Sequence, residues 1–268
     1  MPLTVATWNI NSVRLRMPLV ERFLSEHRPD VLCLQETKCP DDLFPFEPLR
    51  ALGYEHILIS GQKGYHGVAT VSRRPLSLVG KRDFCVKGDC RHLAASFETS
   101  GRTVTLHNFY VPAGGDEPDP DINPKFRHKL DFLAEMNEVP ATETADGGSI
   151  LVGDLNIAPL ADDVWSHRQL LNVVSHTPVE TEGLEAMRRG GGWHDLMRRH
   201  VPPPEKLFTW WSYRARDWDA SDRGRRLDHV WSSAGLAERS RGISVLREAR
   251  GWDRPSDHVP VIATFDLD

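Results

Sequence analysis

The chain has 268 residues, 40% hydrophobic and 26% charged, an ordinary globular balance and enough length to bury a core without staples. A net charge of −5 argues against a protein that coats nucleic acid non-specifically, but not against an enzyme whose own carboxylates hold a cation. No apolar run reaches the length of a membrane span, and the N-terminus lacks the basic and apolar regions of a signal peptide. A cytoplasmic protein is expected.

The opening residues 3–10 read as a strand, and a helix follows in which Pro18 fits the first turn and Leu15, Leu19, Phe23 and Leu24 recur at helical spacing. Pro29-Asp30 ends it, and Val31 to Leu34 forms the next strand. A short, proline-interrupted helix spans 41–52. Strands are predicted at 54–59, 67–72, 93–99 and 102–111, separated by Gly and Pro. After the Pro-, Gly- and Asp-rich loop 112–124 come a helix near 125–138 and a strand at 149–153. Helices near 182–189 and 194–200 precede the Pro202-Pro203-Pro204 break, and strands near 227–232, 243–247 and 260–266 finish the chain. No repeat or low-complexity tract occurs. The mixed order predicts an α/β fold with two packed mixed sheets flanked by helices, an α/β/β/α sandwich.

Cys33, Cys39, Cys85 and Cys90 show neither a C-x-x-C pair nor zinc-ligand spacing. Cys33 reads as a small buried hydrophobe, and reduced thiols fit a cytosolic setting. The basic clusters Arg73-Arg74, Lys81-Arg82, Arg188-Arg189, Arg198-Arg199 and Arg223 to Arg226 read singly as solvated faces.

Four polar clusters stand at the ends of apolar runs: Asn9-Ile10-Asn11, Gln35-Glu36, Asp154-Leu155-Asn156 and Ser256-Asp257-His258. Asn9 and Asn11, like Asp154 and Asn156, are two apart and share a face in extended backbone. Four polar strand ends are improbable as independent caps, because buried polar groups cost free energy unless partnered. A shared hard cation such as Mg²⁺ would satisfy them. The first cluster lies near residue 9 and the last near residue 258, so a single domain that closes on itself is expected over 1–268. Asp257 and His258 need a bend after Pro255 to reach one site, and Asp228 is placed to hydrogen-bond the His258 ring. A Ser-His-Asp relay fails because Ser256, Asp257 and His258 are consecutive and no G-x-S-x-G elbow exists. There is no Walker A or G-x-G-x-x-G loop, which disfavours nucleotide-triphosphate and dinucleotide chemistry.

These residues, with Trp8-Asn9-Ile10-Asn11-Ser12-Val13-Arg14, Leu34-Gln35-Glu36-Thr37-Lys38, Gly64-Tyr65-His66-Gly67, Asn108-Phe109-Tyr110-Val111-Pro112, Gly153-Asp154-Leu155-Asn156, Phe208-Thr209-Trp210-Trp211, Arg226-Leu227-Asp228-His229 and Ser256-Asp257-His258-Val259-Pro260, give a chain that resembles the exonuclease III family of DNA-repair nucleases. The short segment before the first motif resembles the family's compact bacterial branch. The resemblance implies a four-layer fold and a Mg²⁺-dependent phosphodiesterase, with Mn²⁺ as an alternative ion. Its substrate would be duplex DNA, incised 5′ to abasic sites or trimmed and cleaned at 3′ ends in base excision repair. A monomer without membrane contact is expected.

Carried onto matching positions, the resemblance makes Glu36 the principal metal ligand, with Asn9, Asn11, Asp154, Asn156, Asp257 and His258 contributing to the metal environment. Asp154 would activate water, Asn156 would hold it and the phosphate, Tyr110 would donate to phosphate or leaving group, and His258, oriented by Asp228, would stabilise the transition state. Trp210, Trp211 and Leu227 match substrate-pocket positions, while Arg14, Lys38 and Tyr65 match backbone-contact positions. Two departures stand out. Arg225 occupies a position where relatives often carry an apolar pocket wall, and the loop Ala113-Gly114-Gly115-Asp116-Glu117 is acidic. The competing readings are a superfamily phosphodiesterase acting on another phosphoester and a catalytically silent nucleic-acid-binding regulator.

Overall fold

The computed structural model describes residues 2–145 and 147–267. In the first half of the chain lie β1 (Leu3–Asn9), α1 (Met17–His27), β2 (Val31–Gln35), α2 (Phe46–Ala51), β3 (His56–Ser60), β4 (Val68–Ser72), β5 (Ser77–Gly80), β6 (His92–Thr99) and β7 (Arg102–Tyr110). After them come α3 (Pro124–Met136), β8 (Glu143–Thr144), β9 (Gly147–Asp154), α4 (His167–Leu170), α5 (Pro178–Gly190), β10 (His194–Asp195) and α6 (Leu196–His200). The chain closes with β11 (Trp210–Trp211), α7 (Trp218–Ser221), β12 (Gly224–Arg225), β13 (Asp228–Ser232), α8 (Ala234–Glu238), β14 (Ser240–Val245) and β15 (Val261–Phe265).

One sheet runs β14-β15-β1-β2-β4-β3 and the other β10-β13-β9-β7-β6-β5, with β8 paired to β9. Side-chain alternation turns the two sheets into four layers. Leu3, Val5, Val31 and Cys33 face inward and meet Val104, Leu106, Ile150, Val152 and Val230 of the second sheet in a common core. The opposite parity of the first sheet, Ala6, Trp8, Leu32 and Leu34, packs under Val20, Phe23 and Leu24 of α1. Phe109, Leu151 and Trp231 do the same on the outer face of the second sheet, against Phe132 and Met136 of α3 and Leu184 and Met187 of α5. The expected α/β/β/α sandwich is therefore the observed fold.

Several local readings needed adjustment. Leu15 precedes α1 and is exposed, and Met17 and Val20 take the inward face instead. The helix expected from 182 begins at Pro178, where Thr177 and Glu180 form a capping box ahead of a proline in the first turn. β5 was not anticipated, because Leu78 and Val79 are both exposed on a short edge and show no alternation.

Two parallel pairs decide where a site can form. β1 runs parallel to β2 and β7 parallel to β9, whereas the remaining pairings are antiparallel. Each parallel pair delivers both of its C-terminal ends to one edge. β13 enters at that edge, with Asp228 directly across from Asp154. β15 is antiparallel to β1, with Val261 opposite Thr7, so the residues just before it arrive beside Asn9.

Candidate active site

At this edge the inward faces of the strands change from apolar to polar. Asn9 continues the parity of Val5, Gln35 that of Cys33, Tyr110 that of Leu106, Asp154 that of Val152 and Asp228 that of Val230. In the second sheet Tyr110, Asp154 and Asp228 lie side by side in register. Between the sheets Gln35 donates to Thr7 Oγ1 (2.9 Å) and Asn108 Oδ1 (2.8 Å), while the Asn108 amide donates to the Leu34 and Ala69 carbonyls. A buried polar group left unpaired costs about 1–3 kcal/mol, so this ladder fixes how the sheets meet just beneath the site.

The strands end in left-handed turns. Asn11, Glu36, Lys38 and Asn156 all have φ between 48° and 54°. That conformation is unusual for residues with a Cβ, and here it swings the side chain that follows each strand back over the strand end. Thr37 and Lys38 donate backbone N–H to Gly67 and His66. Gly67, at φ +91°, lies so close to Thr37 that a Cβ there would stand 2.2 Å from Thr37 Oγ1. Gly153 is required in the same way, since a Cβ would stand 1.9 Å from the Phe109 carbonyl.

Asn9 bridges the two sheets by donating to Glu36 Oε1 (3.0 Å) and Asp154 Oδ2 (2.8 Å). Tyr110 donates its hydroxyl to Glu36 Oε1 at 2.9 Å. Lys38 Nζ lies 2.7 Å from Glu36 Oε2 and 2.6 Å from Asn11 Oδ1, and the Asn11 amide donates to Asp257 Oδ1 at 3.1 Å. Asp257 Oδ2 accepts the Trp210 indole N–H at 2.9 Å. Asp154 accepts the backbone N–H of Asn156 on Oδ1 and the Asn156 amide on Oδ2. His258 places Nδ1 2.8 Å from Asp228 Oδ2 and Nε2 3.6 Å from Asp154 Oδ2. The bend after Pro255 is thus made, and Asp257 and His258 both reach the cluster.

Electrostatics separate the groups. Burial opposes ionisation of Glu36, but the Lys38 ammonium and the Asn9 amide outweigh it and lower its pKa. Burial pushes Asp154 up, with neighbouring Asp228 and Glu36 adding to the effect against His258 and Asn9. Burial alone would neutralise His258, yet Asp228 and Asp154 raise it to about 10. Burial, with Glu36 and Asp154 nearby, holds Tyr110 far above its ordinary value and hence protonated. Asp257 stays low because His258, Trp210 and Asn11 offset its burial.

An oxygen-rich cradle of Glu36, Asn11 and Asp257 with an ammonium already seated between two of its oxygens suits a hard divalent cation, since the donors are of the kind Mg²⁺ or Mn²⁺ takes. Asp154, Asp228 and His258 form a second group with ligand spacing. There both imidazole nitrogens face carboxylates, so His258 offers no lone pair and acts as a cation itself. Its expected place among the metal ligands gains no support from this geometry.

The cluster opens into a cleft of about 640 Å³ lined by Glu36, Asn156, Trp210, Leu227, Asp257 and His258. Leu227 packs with Trp210 in a small apolar group. Trp211 borders the cleft but is 2% exposed and packs on Phe208 and Trp218, so it contributes core rather than contact surface. Tyr65 is 71% exposed beside His66, which in turn neighbours Tyr110. Arg14 is exposed and Lys38 half-buried.

Several residues without an individual role in the sequence reading support the site. Ser256 donates to the Asn9 carbonyl (2.7 Å) and accepts from the His258 N–H, while Trp8 donates to the His258 carbonyl. Thr209 Oγ1 accepts the N–H groups of Leu227 and Asp228. Behind Asn156 a fully buried ion pair joins Lys129 to Glu180 at 2.5 Å, and Lys129 also donates to the Asn156 carbonyl at 2.7 Å. Lys129 did carry a signal: it occupies the inward helical stripe with Phe126, Leu133 and Met136, where a charge needs a buried partner.

The fold and this site define a metal-assisted phosphoesterase architecture. The family model described as Endonuclease/Exonuclease/phosphatase matches residues 6–258. The chain belongs to that family and is a hydrolytic nuclease. Exodeoxyribonuclease III of Haemophilus influenzae is 31% identical over 97% of the chain and 98% of its own length. An AP endonuclease from Archaeoglobus fulgidus superposes with a TM-score of 0.88 at 30% identity, covering 99% of this chain and all of that one. The 3′ phosphatase NExo from Neisseria, solved bound to a product DNA hairpin, gives 0.85 at 33% identity, with 99% and 100% covered.

Proposed function

We propose that the chain is a divalent-metal-dependent DNA phosphodiesterase of base excision repair, acting on duplex DNA at abasic sites and at blocked 3′ ends. The observation that carries this is the junction at Asn9, whose amide joins Glu36 of one sheet to Asp154 of the other at 3.0 and 2.8 Å. It couples a cation cradle to a proton-handling group within reach of one phosphate. The relatives, which include an exodeoxyribonuclease III, an AP endonuclease and a 3′ phosphatase, support the substrate class.

In this reading Glu36, Asn11 and Asp257 hold Mg²⁺, or Mn²⁺ in its place. When bound, the ion polarises the phosphoryl group and makes water easier to deprotonate. Asp154 accepts the proton of the attacking water, a task suited to a carboxyl whose burial raises its proton affinity. The Asn156 amide orients Asp154 and the incoming water. His258, kept as imidazolium by Asp228, donates to the phosphoryl oxygen on which charge accumulates. Tyr110, held protonated, donates to the phosphate or the departing oxygen. Trp210 and Leu227 line the substrate cleft, and Arg14, Lys38 and Tyr65 are placed toward the DNA backbone. One chain supplies the whole site, which supports a single catalytic domain over 1–268 working as a monomer. Four free cysteines suit a reducing cytoplasm, and no helix among the described residues is long and apolar enough to cross a membrane.

The test is a labelled duplex carrying one internal abasic analogue, incubated with Mg²⁺ and with chelator. Incision 5′ to the analogue that chelator abolishes is expected. Absence of cleavage of this duplex and of a 3′-phosphate duplex, at any Mg²⁺ concentration, would overturn the reading.

A further inference from the structure

Most arginines of the basic clusters are spent on carboxylates: Arg73 and Arg74 on Asp30, Arg188 on Glu185, Arg198 and Arg226 on Asp163. The cleft wall differs. Arg225 pairs across from Trp210, which on its other side bridges to His258. Two strand spacings, roughly 10 Å, therefore separate its backbone from that of His258. Its guanidinium sits 5.2 Å over the Trp210 ring, and Nη1 donates to the Val174 carbonyl (3.1 Å) and Ser175 Oγ (2.7 Å). Nε is buried without a hydrogen-bond partner, and no carboxylate among the described residues lies within ion-pair distance of Arg225. Two residues earlier, Arg223 lies 4.7 Å over Trp165 and likewise has no acidic partner among the described residues. Both residues line the cleft that holds His258.

These contacts alter what the cleft can accept. Guanidinium groups cover a face of each tryptophan, so those faces are closed to stacking by a base or packing by a baseless sugar. A half-buried guanidinium whose carboxylate neighbour, Glu180, is already paired with Lys129 suits an anion that offers it oxygens to accept its N–H groups. Within a strand, the scissile phosphate carries one negative charge and has a sugar on both sides. A 3′-terminal phosphomonoester carries about 1.5 to 2 at neutral pH and leaves its downstream side empty, where a cation fits and a sugar does not.

The geometry points to Arg225, seconded by Arg223, as a specificity determinant that turns this site toward 3′-terminal phosphomonoesters of duplex DNA and away from internal abasic sites. This inference rests on the phosphoesterase reading above. In the step favoured, water oxygen bonds to phosphorus, the P–O3′ bond breaks, and O3′ leaves as a protonated 3′-hydroxyl with release of inorganic phosphate.

The experiment compares kcat/KM on two duplexes, one ending in a 3′-phosphate at a nick and one carrying an internal abasic analogue, for the full chain and for R225M and R225K. Wild type should prefer the 3′-phosphate, and R225M should lower the ratio of the two values by about 10–100-fold, the worth of a hydrogen bond to a charged group. R225K should lie between, since it keeps the charge but loses the fork. Thermal unfolding of each variant separates this from lost anchoring of the 173–175 loop, which would depress both activities together. An equal fall on both substrates, or an unchanged ratio, overturns the inference while leaving the phosphoesterase reading intact. If wild type cleaves neither duplex, it is that reading that fails.

Discussion

The two halves of the site solve opposite problems. Around Glu36, the Asn11, Glu36 and Lys38 side chains come from left-handed turns after strands, Glu36 keeps 17% of its side-chain surface, and the Lys38 ammonium occupies the space between oxygens. Around Asp154, Asp228 and His258 the groups come from strand register, and their side chains are 5% exposed or less. The first half lies where water reaches, as the proposed exchange of the Lys38 ammonium for a metal ion and the entry of substrate require. The second holds a carboxyl of raised proton affinity beside an imidazole flanked by carboxylates, which needs low dielectric and fixed distances. Among the described residues, Asn9 is the single side-chain amide that hydrogen-bonds to both.

If the halves are distinct, substitutions should separate metal dependence from chemistry. The largest effect is expected for Asp154→Asn, which should reduce turnover by up to about 10⁴-fold, the upper range for a positioned proton acceptor, with the Mg²⁺ concentration for half-maximal rate little changed. A shifted Mg²⁺ requirement in that variant would merge the halves. His258→Asn should cost about 10²–10³-fold in kcat, as for loss of one donor to developing charge; a defect confined to KM would place His258 in binding instead. For Glu36→Ala the expected signature is the reverse: half-saturating Mg²⁺ should rise by more than the roughly 10–100-fold typical of losing an outer partner, and saturating metal should recover part of the rate. A wild-type titration curve would remove Glu36 from the cradle.

The smallest effect concerns stability and sharpens the electrostatic side of the comparison. His258 is raised from 6.5 to about 10 on folding. A group whose folded pKa is raised contributes stability that is fully present below pH 6.5 and lost as pH climbs toward 10. In chelator, the difference in Tm between wild type and His258→Asn should therefore be largest near pH 6.5 and shrink toward pH 10. A difference that stays constant across that window would mean the imidazole is already neutral at its lower end.

Much of this was legible along the chain. Strand ends at Asn9, Gln35, Asp154 and Asp228 follow from apolar runs broken by a polar residue of fixed parity, because a period of two assigns each side chain a face before any partner is known. The capping box at Thr177 and Glu180 is equally local and sets the start of α5 at Pro178, one turn ahead of residue 182. The Lys129–Glu180 pair was harder: a lysine in an apolar stripe signals a partner without naming one 51 residues away.

What the sequence determined by itself is the set of chemical groups and the faces they occupy, since alternation and helical spacing are local properties of the backbone. Only the tertiary structure decided that the two parallel strand pairs deliver their ends to one edge, that Asn9 spans the sheets, and that Asp154 rather than Glu36 neighbours His258. It also decided which arginines are neutralised and which face the cleft, a distinction invisible in a run such as Arg223-Gly224-Arg225-Arg226. Those outcomes depend on sheet order and register, which are set by packing between residues hundreds of positions apart, and no local pattern encodes them.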